Sequence, residues 1–156
     1  MDRERARRVI TLLERRGEVD VVSGDLQNAA ETCLDRARNR HQAAALLLTA
    51  GLWDPAFTAA YDAYRSAADA VVLFLGYRVP AVGGAHRIVC DVAHAAPFDV
   101  TTAFTPSTAE RFRRDRHASE YFDPSNPVEK VQADAAWAVA LAEDALVAVD
   151  AAISGR

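Results

Sequence analysis

Leu26-Gln-Asn-Ala-Ala30-Glu-Thr-Cys33-Leu-Asp-Arg-Ala37-Arg-Asn-Arg-His41-Gln-Ala-Ala44-Ala-Leu-Leu-Leu48 decides the fold. Leu26, Ala30, Cys33, Ala37, His41, Ala44 and Leu48 recur at intervals of three and four, the repeat that gathers side chains on one face of an α-helix. The pattern predicts a long helix that stops at Gly51. Asp54-Pro55 follows, a capping side chain and then a proline at a first helical position, where its missing N–H costs nothing. Phe57, Tyr61, Tyr64, Ala68, Val71 and Leu75 carry the next apolar stripe, and Gly76 is placed to end it. Two long helices joined by a short turn pack antiparallel.

The same signals extend in both directions. Residues 2–16 predict a charged helix with Val9, Ile10, Leu12 and Leu13 on its apolar side, stopping near Gly17. Gly83-Gly84 closes a loop, and residues 85–96 predict a shorter helix carrying His86, Ile88, Val89, Val92 and Ala93, ended by Pro97. Thr105-Pro106 and Asn126-Pro127 repeat the cap-then-proline signature. They predict a helix through an arginine-rich segment and a final helix aligning Val128, Val131, Ala135, Ala138, Ala142, Ala145, Val149 and Ile153. No segment alternates with the period of a strand, and no repeat of 20–50 residues is apparent. The expected fold is all-α, an antiparallel bundle of five or six helices in one domain over residues 1–156. A peripheral helix lies within residues 1–20 and the bundle within 25–153. Alanine fills most of the expected core positions, which lets helices approach closely, and broad apolar faces leave room for a second copy of the chain.

A chain of 156 residues is long enough to bury a core without staples. Its 18 basic and 22 acidic residues give a net charge of −4, so no overall basic field draws it to nucleic acid, and any such contact is local. Cys33 and Cys90 stand far apart in apolar segments, as small reduced core residues do. Apolar runs such as 70–75 fall far short of the roughly 20 residues of a membrane span. The charged start Met1-Asp-Arg-Glu-Arg lacks a signal-type apolar core. The expected location is cytoplasmic.

The chemistry concentrates in Arg111-Phe-Arg113-Arg114-Asp-Arg116-His117-Ala-Ser-Glu120-Tyr121. On a helix, Ala109 and Phe112 lead into Arg116, which then points toward the core side or a groove. Arg113, His117 and Tyr121 form a neighbouring stripe with Glu120 beside them. Arginine grips phosphate oxygens bidentately, and histidine, with an ordinary pKa of about 6.5, can take or give a proton. That set suits a phosphodiester, and RNA cleaved by its own 2′-hydroxyl needs no metal. The competing reading makes Arg111, Arg113, Arg114 and Asp115 a solvated helix face, with Arg116 paired to a carboxylate of another helix.

His41 lies in a core stripe, where hydrogen bonding in place is the ordinary role; His86 can cap a helix or line a cleft, and His94 sits at a helix end. Four scattered histidines without ligand spacing predict no metal and no cofactor, and Gly83-Gly84 without a following Lys-Ser or Lys-Thr is not a P-loop. Trp53, Trp137, Tyr61 and Tyr64 are expected in the core or, for the tryptophans, a subunit interface.

Three stretches together, 60–78, Gly84-Ala-His86-Arg87 and Arg113-Arg-Asp-Arg-His-Ala-Ser-Glu-Tyr121, resemble the HEPN superfamily of small prokaryotic helical proteins. The resemblance runs from about residue 26 to residue 153. It implies a bundle that forms a homodimer, with the motif helices facing a shared cleft. Many HEPN proteins are metal-independent endoribonucleases that serve as toxins or defence components, often beside a nucleotidyltransferase-type antitoxin. Their motif is arginine, commonly then asparagine, aspartate or histidine, and after three more residues a histidine. Arg116 and His117 match its first two positions; Tyr121 stands where the last histidine belongs. A phenol of pKa about 10 is no base at neutral pH. A looser alignment pairs Arg111 with His117, which an ideal helix sets about 120° apart.

The resemblance implies catalytic roles for Arg116 on phosphate and His117 as acid or base, with Tyr121 and Glu120 orienting, and RNA contacts for Arg111, Arg113 and Arg114. The alternatives are a non-catalytic HEPN-like module that binds a protein partner, and a nucleotide-binding cleft.

Overall fold

The computed structural model describes residues 3–81, 83–96, 102–120, 124–125, 127 and 129–154, with the backbone alone at 3, 119 and 120. Six α-helices make up the bundle: α1 (Arg3–Arg15), α2 (Leu26–Thr49), α3 (Trp53–Phe74), α4 (Ala85–Ala95), α5 (Pro106–Glu120) and α6 (Gln132–Ser154). Two two-residue strands, β1 (Asp20–Val21) and β2 (Tyr77–Arg78), pair antiparallel. They are too short for alternation to announce, and they tie the connector after α1 to the end of α3.

The α2–α3 turn sets the architecture. Asp25 caps α2 by accepting a 3.0 Å hydrogen bond from the Asn28 N–H. At the other end, Leu52 N–H reaches the Leu47 carbonyl and Gly51 N–H the Leu48 carbonyl, with Gly51 at a φ of 75°. This is the Schellman arrangement, in which glycine takes the left-handed conformation that a Cβ disfavours. Leu52 then serves as the N-cap of α3. The chain thus reverses within three residues, and α2 runs back along α3. The Cys33 thiol donates to the Ser66 carbonyl at 3.3 Å, while Arg40 donates to Ser66 Oγ and the Asp62 carbonyl, so rising numbers in α2 meet falling numbers in α3. The pairs Gln27 with Ile153 and His41 with Val139 show the same sense for α2 and α6.

α3 is the centre. Twelve of its 22 residues are buried, more than one stripe can supply, because it packs against α2, α4, α5 and α6. Alanines at 60, 63, 67 and 68 meet alanines at 30, 37 and 44 of α2 and at 138, 142 and 145 of α6, all essentially inaccessible. Small side chains let three helix backbones approach one another, and the aromatic residues fill the wider space toward α5.

Several sequence expectations are corrected. α3 begins at Trp53, so Pro55 is its third residue and Asp54 does not cap it; the Asp54 carboxylate instead accepts from the Lys130 N–H at 3.4 Å. The final helix begins at Gln132, not after Asn126-Pro127, and its start is fixed by Asp134 accepting from the Val131 N–H at 3.1 Å. Val131 is therefore exposed, and Val128 lies outside the described residues, as do Asp2 and Pro97. In α2 the buried line is Ala30, Leu34, Ala37 and Ala44, leaving Cys33 and His41 half-buried at its flank. Leu12 and Trp53 lie outside the core, whereas Ile10 and Leu13 bury α1 against α4. No helix among the described residues is long and apolar enough to cross a membrane.

Phe112 carries the attachment of α5. It is wholly buried, with ring centroids 5.1–5.2 Å from Phe57, Tyr61, Tyr64 and Trp137. Phe112→Ala is expected to lower unfolding free energy by about 3–5 kcal/mol, from lost transfer energy and the cavity left behind. Urea denaturation followed by far-UV circular dichroism measures it, and a loss under about 1 kcal/mol would mean that α5 is held by something else.

Candidate functional site

α5 starts as its sequence dictates. Thr105 precedes Pro106, and its Oγ1 accepts from the Thr108 N–H at 3.4 Å while sharing a 2.8 Å hydrogen bond with the Thr108 hydroxyl. Among the described side chains of the helix only Phe112 is buried, so α5 lies on the bundle by one narrow line.

The groove toward α3 and α4 is the candidate site. A cavity of about 290 Å³ is lined by Tyr61, Gly84, His86, Arg87, Glu110, Arg113, Arg116 and His117. A second, of about 200 Å³, shares Tyr61, His86, Arg87, Glu110 and Arg113 and continues over Cys90, Asp91, Pro106 and Ala109. The two form one cleft with a polar half at Arg116 and His117 and a more apolar half toward Cys90.

Of the predicted residues, the fold brings Arg113, Arg116 and His117 to this cleft and adds His86 from α4. Arg111 and Arg114 go elsewhere. The Arg111 guanidinium lies 4.1 Å over the Trp137 ring and 3.7 Å from Asp115, and Arg114 also reaches Asp115, at 3.4 Å. Because α5 is continuous over these positions, Arg111 and His117 stay on different sides, as the geometry of an ideal helix requires. Glu120 is the last residue of α5, and its side chain and Tyr121 lie outside the described residues.

Arg116 points inward. Its side chain is 24 % exposed, its guanidinium carbon sits 4.8 Å over the Tyr61 ring, and it stands 3.6 Å from Asp62 of α3. The carboxylate of another helix expected for a structural arginine is thus present. A cation on a ring face and beside a carboxylate is held in place by both, and it still borders the cavity. Arg113 is clamped by Glu110 at 2.7 and 3.0 Å, an exposed pair in which the hydrogen bond holds the Glu110 carboxyl below its ordinary range.

Tyr61 and His86 form the buried part of the site. The Tyr61 hydroxyl shares a short hydrogen bond with His86 Nδ1, and the two rings lie 5.4 Å apart in a stack. Burial pushes the Tyr61 phenol upward, so it stays protonated. Burial, followed by the positive charges of Arg65, Arg116 and Arg113, lowers His86 to about 4. Cys90, at the apolar end, is raised to about 12 by burial and remains a thiol. His41 is accounted for by its 3.2 Å hydrogen bond to the Val139 carbonyl. Among the described residues no group of three or more His, Cys, Asp and Glu side chains is placed to hold a metal ion.

Sequence periodicity placed Tyr61 correctly in the core yet gave no sign that its hydroxyl reaches a cleft. Asp62 and Glu110 carry no distinguishing signal, because a carboxylate one position off an apolar stripe is common on any helix. His86 carried a usable signal, the Gly-Ala-His-Arg stretch after the loop. No protein-family model, curated protein or solved structure matches the chain.

The lowered value of His86 gives stability a pH dependence. In the unfolded chain this ring binds its proton near 6.5, in the folded chain only near 4, so between the two the unfolded state holds more protons. Stability falls as pH drops from about 6.5 to about 4, and this ring contributes no further loss below that. In His86→Gln the decline in urea midpoint across that window is expected to be shallower than in the wild type. Parallel curves would exclude His86 as its source.

Proposed function

We propose that the chain is a HEPN-like protein that acts on RNA through the α3–α4–α5 cleft, as a metal-independent endoribonuclease of the toxin or defence type. The observation that carries this reading is the convergence of Arg113, Arg116 and His117 with a second imidazole, His86, on one cavity. Arginines neutralise and orient a phosphodiester, an imidazole moves a proton, and attack by the 2′-hydroxyl requires no bound ion. The net charge of −4 weighs slightly toward the non-catalytic alternative, since affinity for RNA draws heavily on backbone charge. A homodimer belongs to the ribonuclease reading, supported by exposed Leu46, Leu52, Trp53 and Val131 near one end of the bundle, and so does a nucleotidyltransferase-type partner.

A second reading is favoured by one specific observation. Arg116 already has a carboxylate and a ring face as neighbours, as a structural arginine does, and this fits a non-catalytic module that binds a protein partner or a nucleotide. The two readings separate in a metal-free assay. In EDTA, the wild type is expected to cut total tRNA and the Arg116→Ala, His117→Ala double variant to lose at least about 100-fold of that rate. No cleavage by a folded wild type, or equal cleavage by both proteins, would refute the ribonuclease reading at this cleft.

A further inference from the structure

We propose that His86, anchored by Tyr61, is the second proton carrier of the cleft and serves in place of the motif's last histidine, where the sequence has Tyr121. The inference rests on the reading of the cleft as a phosphodiester site. Cleavage by a 2′-hydroxyl needs two proton movements, one away from the nucleophile and one onto the leaving oxygen. One residue on α5 meets half of that need, and His86 arrives from a different helix to the same cavity.

The anchoring is specific. Tyr61 occupies Nδ1 of His86, so Nε2 is the ring nitrogen left for a ligand in the cavity. Tyr61 is itself fixed by the edge of Phe112 and by the Arg116 guanidinium over its ring. An aromatic hydroxyl that stays protonated can accept from Nδ1–H and hold the tautomer with a lone pair on Nε2. The charged groups around the ring are Arg65 on α3, Arg87 and Asp91 on α4, and Glu110, Arg113 and Arg116 on α5. With the cleft empty, burial and the arginines keep His86 neutral, which is the form a base requires. A phosphodiester placed among those arginines offsets their charge and makes the imidazolium easier to form.

In the step so defined, the 2′-hydroxyl gives its proton to Nε2 of His86 as its oxygen forms a bond to phosphorus. The bond from phosphorus to the 5′-oxygen breaks, and that oxygen takes a proton from the His117 imidazolium. A 2′,3′-cyclic phosphate and a free 5′-hydroxyl result, with one proton accepted and one donated. Arg113 and Arg116 face the phosphate oxygens throughout.

The test is a ring-resonance titration of the full chain, isotope-labelled at histidine, with a dinucleoside monophosphate that lacks the 2′-hydroxyl and cannot be cut. His86 and His117 are expected to shift along one saturation curve while His41 and His94 stay still. In parallel, His86→Gln is expected to lower kcat by about 100-fold or more with KM within about twofold, and Tyr61→Phe to lower kcat less. A shift of His117 without His86, or an unchanged kcat in His86→Gln, would overturn the inference and leave the phosphodiester reading standing. If neither histidine shifts, the phosphodiester reading fails and this inference fails with it.

Discussion

The insertion of Phe112 between Phe57, Tyr61, Tyr64 and Trp137 is the contact on which the candidate site depends. α5 is otherwise a charged helix with little apolar surface, and a helix of that kind has small reason to dock on a bundle. One aromatic side chain supplies the reason. It fixes the rotation of α5 about its own axis, and this rotation decides which arginines face the cleft and which face α6. Arg113, Arg116 and His117 fall on one side and Arg111 on the other because each is set at a fixed angle from Phe112.

The alanine core makes that insertion possible. α2, α3 and α6 meet through side chains too small to separate their backbones, so α3 is enclosed by helices and turns its aromatic residues to the side where α5 lies. Tyr61 belongs at once to the packed core and to the cleft, with its ring among Phe112 and His86 and its hydroxyl on His86 Nδ1. A side chain that is both packed and hydrogen-bonded gives an imidazole a defined orientation, the condition that precise acid–base chemistry places on its surroundings.

Charge is distributed in the same economical manner. Arginines are abundant in this acidic chain, and several on exposed faces meet carboxylates three or four positions away, as Arg38 with Asp35, Arg87 with Asp91 and Arg113 with Glu110 do. Such pairs are worth little for stability in water. For Arg87 and Arg113 the consequence is local, since the pairs hold these guanidinium groups at the rim of the cleft in a limited set of positions. Asp69 is different: burial raises its carboxyl, and Arg65 beside it is the nearest compensating charge. Arg65, after burial, also contributes to keeping the His86 ring neutral.

The helices were legible in the sequence because periodicity and caps are local properties. α2, α3 and α5 are helical where their periodicity predicts helices, and Gly51 and Thr105 act where a left-handed turn and a cap are needed. Where local signals misled, a distant partner had intervened: Asp54 turned from capping α3 to the Lys130 N–H, and the helix foreseen after Pro127 waited until Asp134 could cap it. The candidate site was half legible. Arg113, Arg116 and His117 share a face by spacing alone, whereas Asp62, Tyr61 and His86 reach the same place from other helices across separations no spacing rule spans. The sequence by itself determined that the chain is a helical bundle with one arginine-rich helix. Only the tertiary structure decided which side of that helix is a site, because the answer lies in the direction Phe112 must point to be buried.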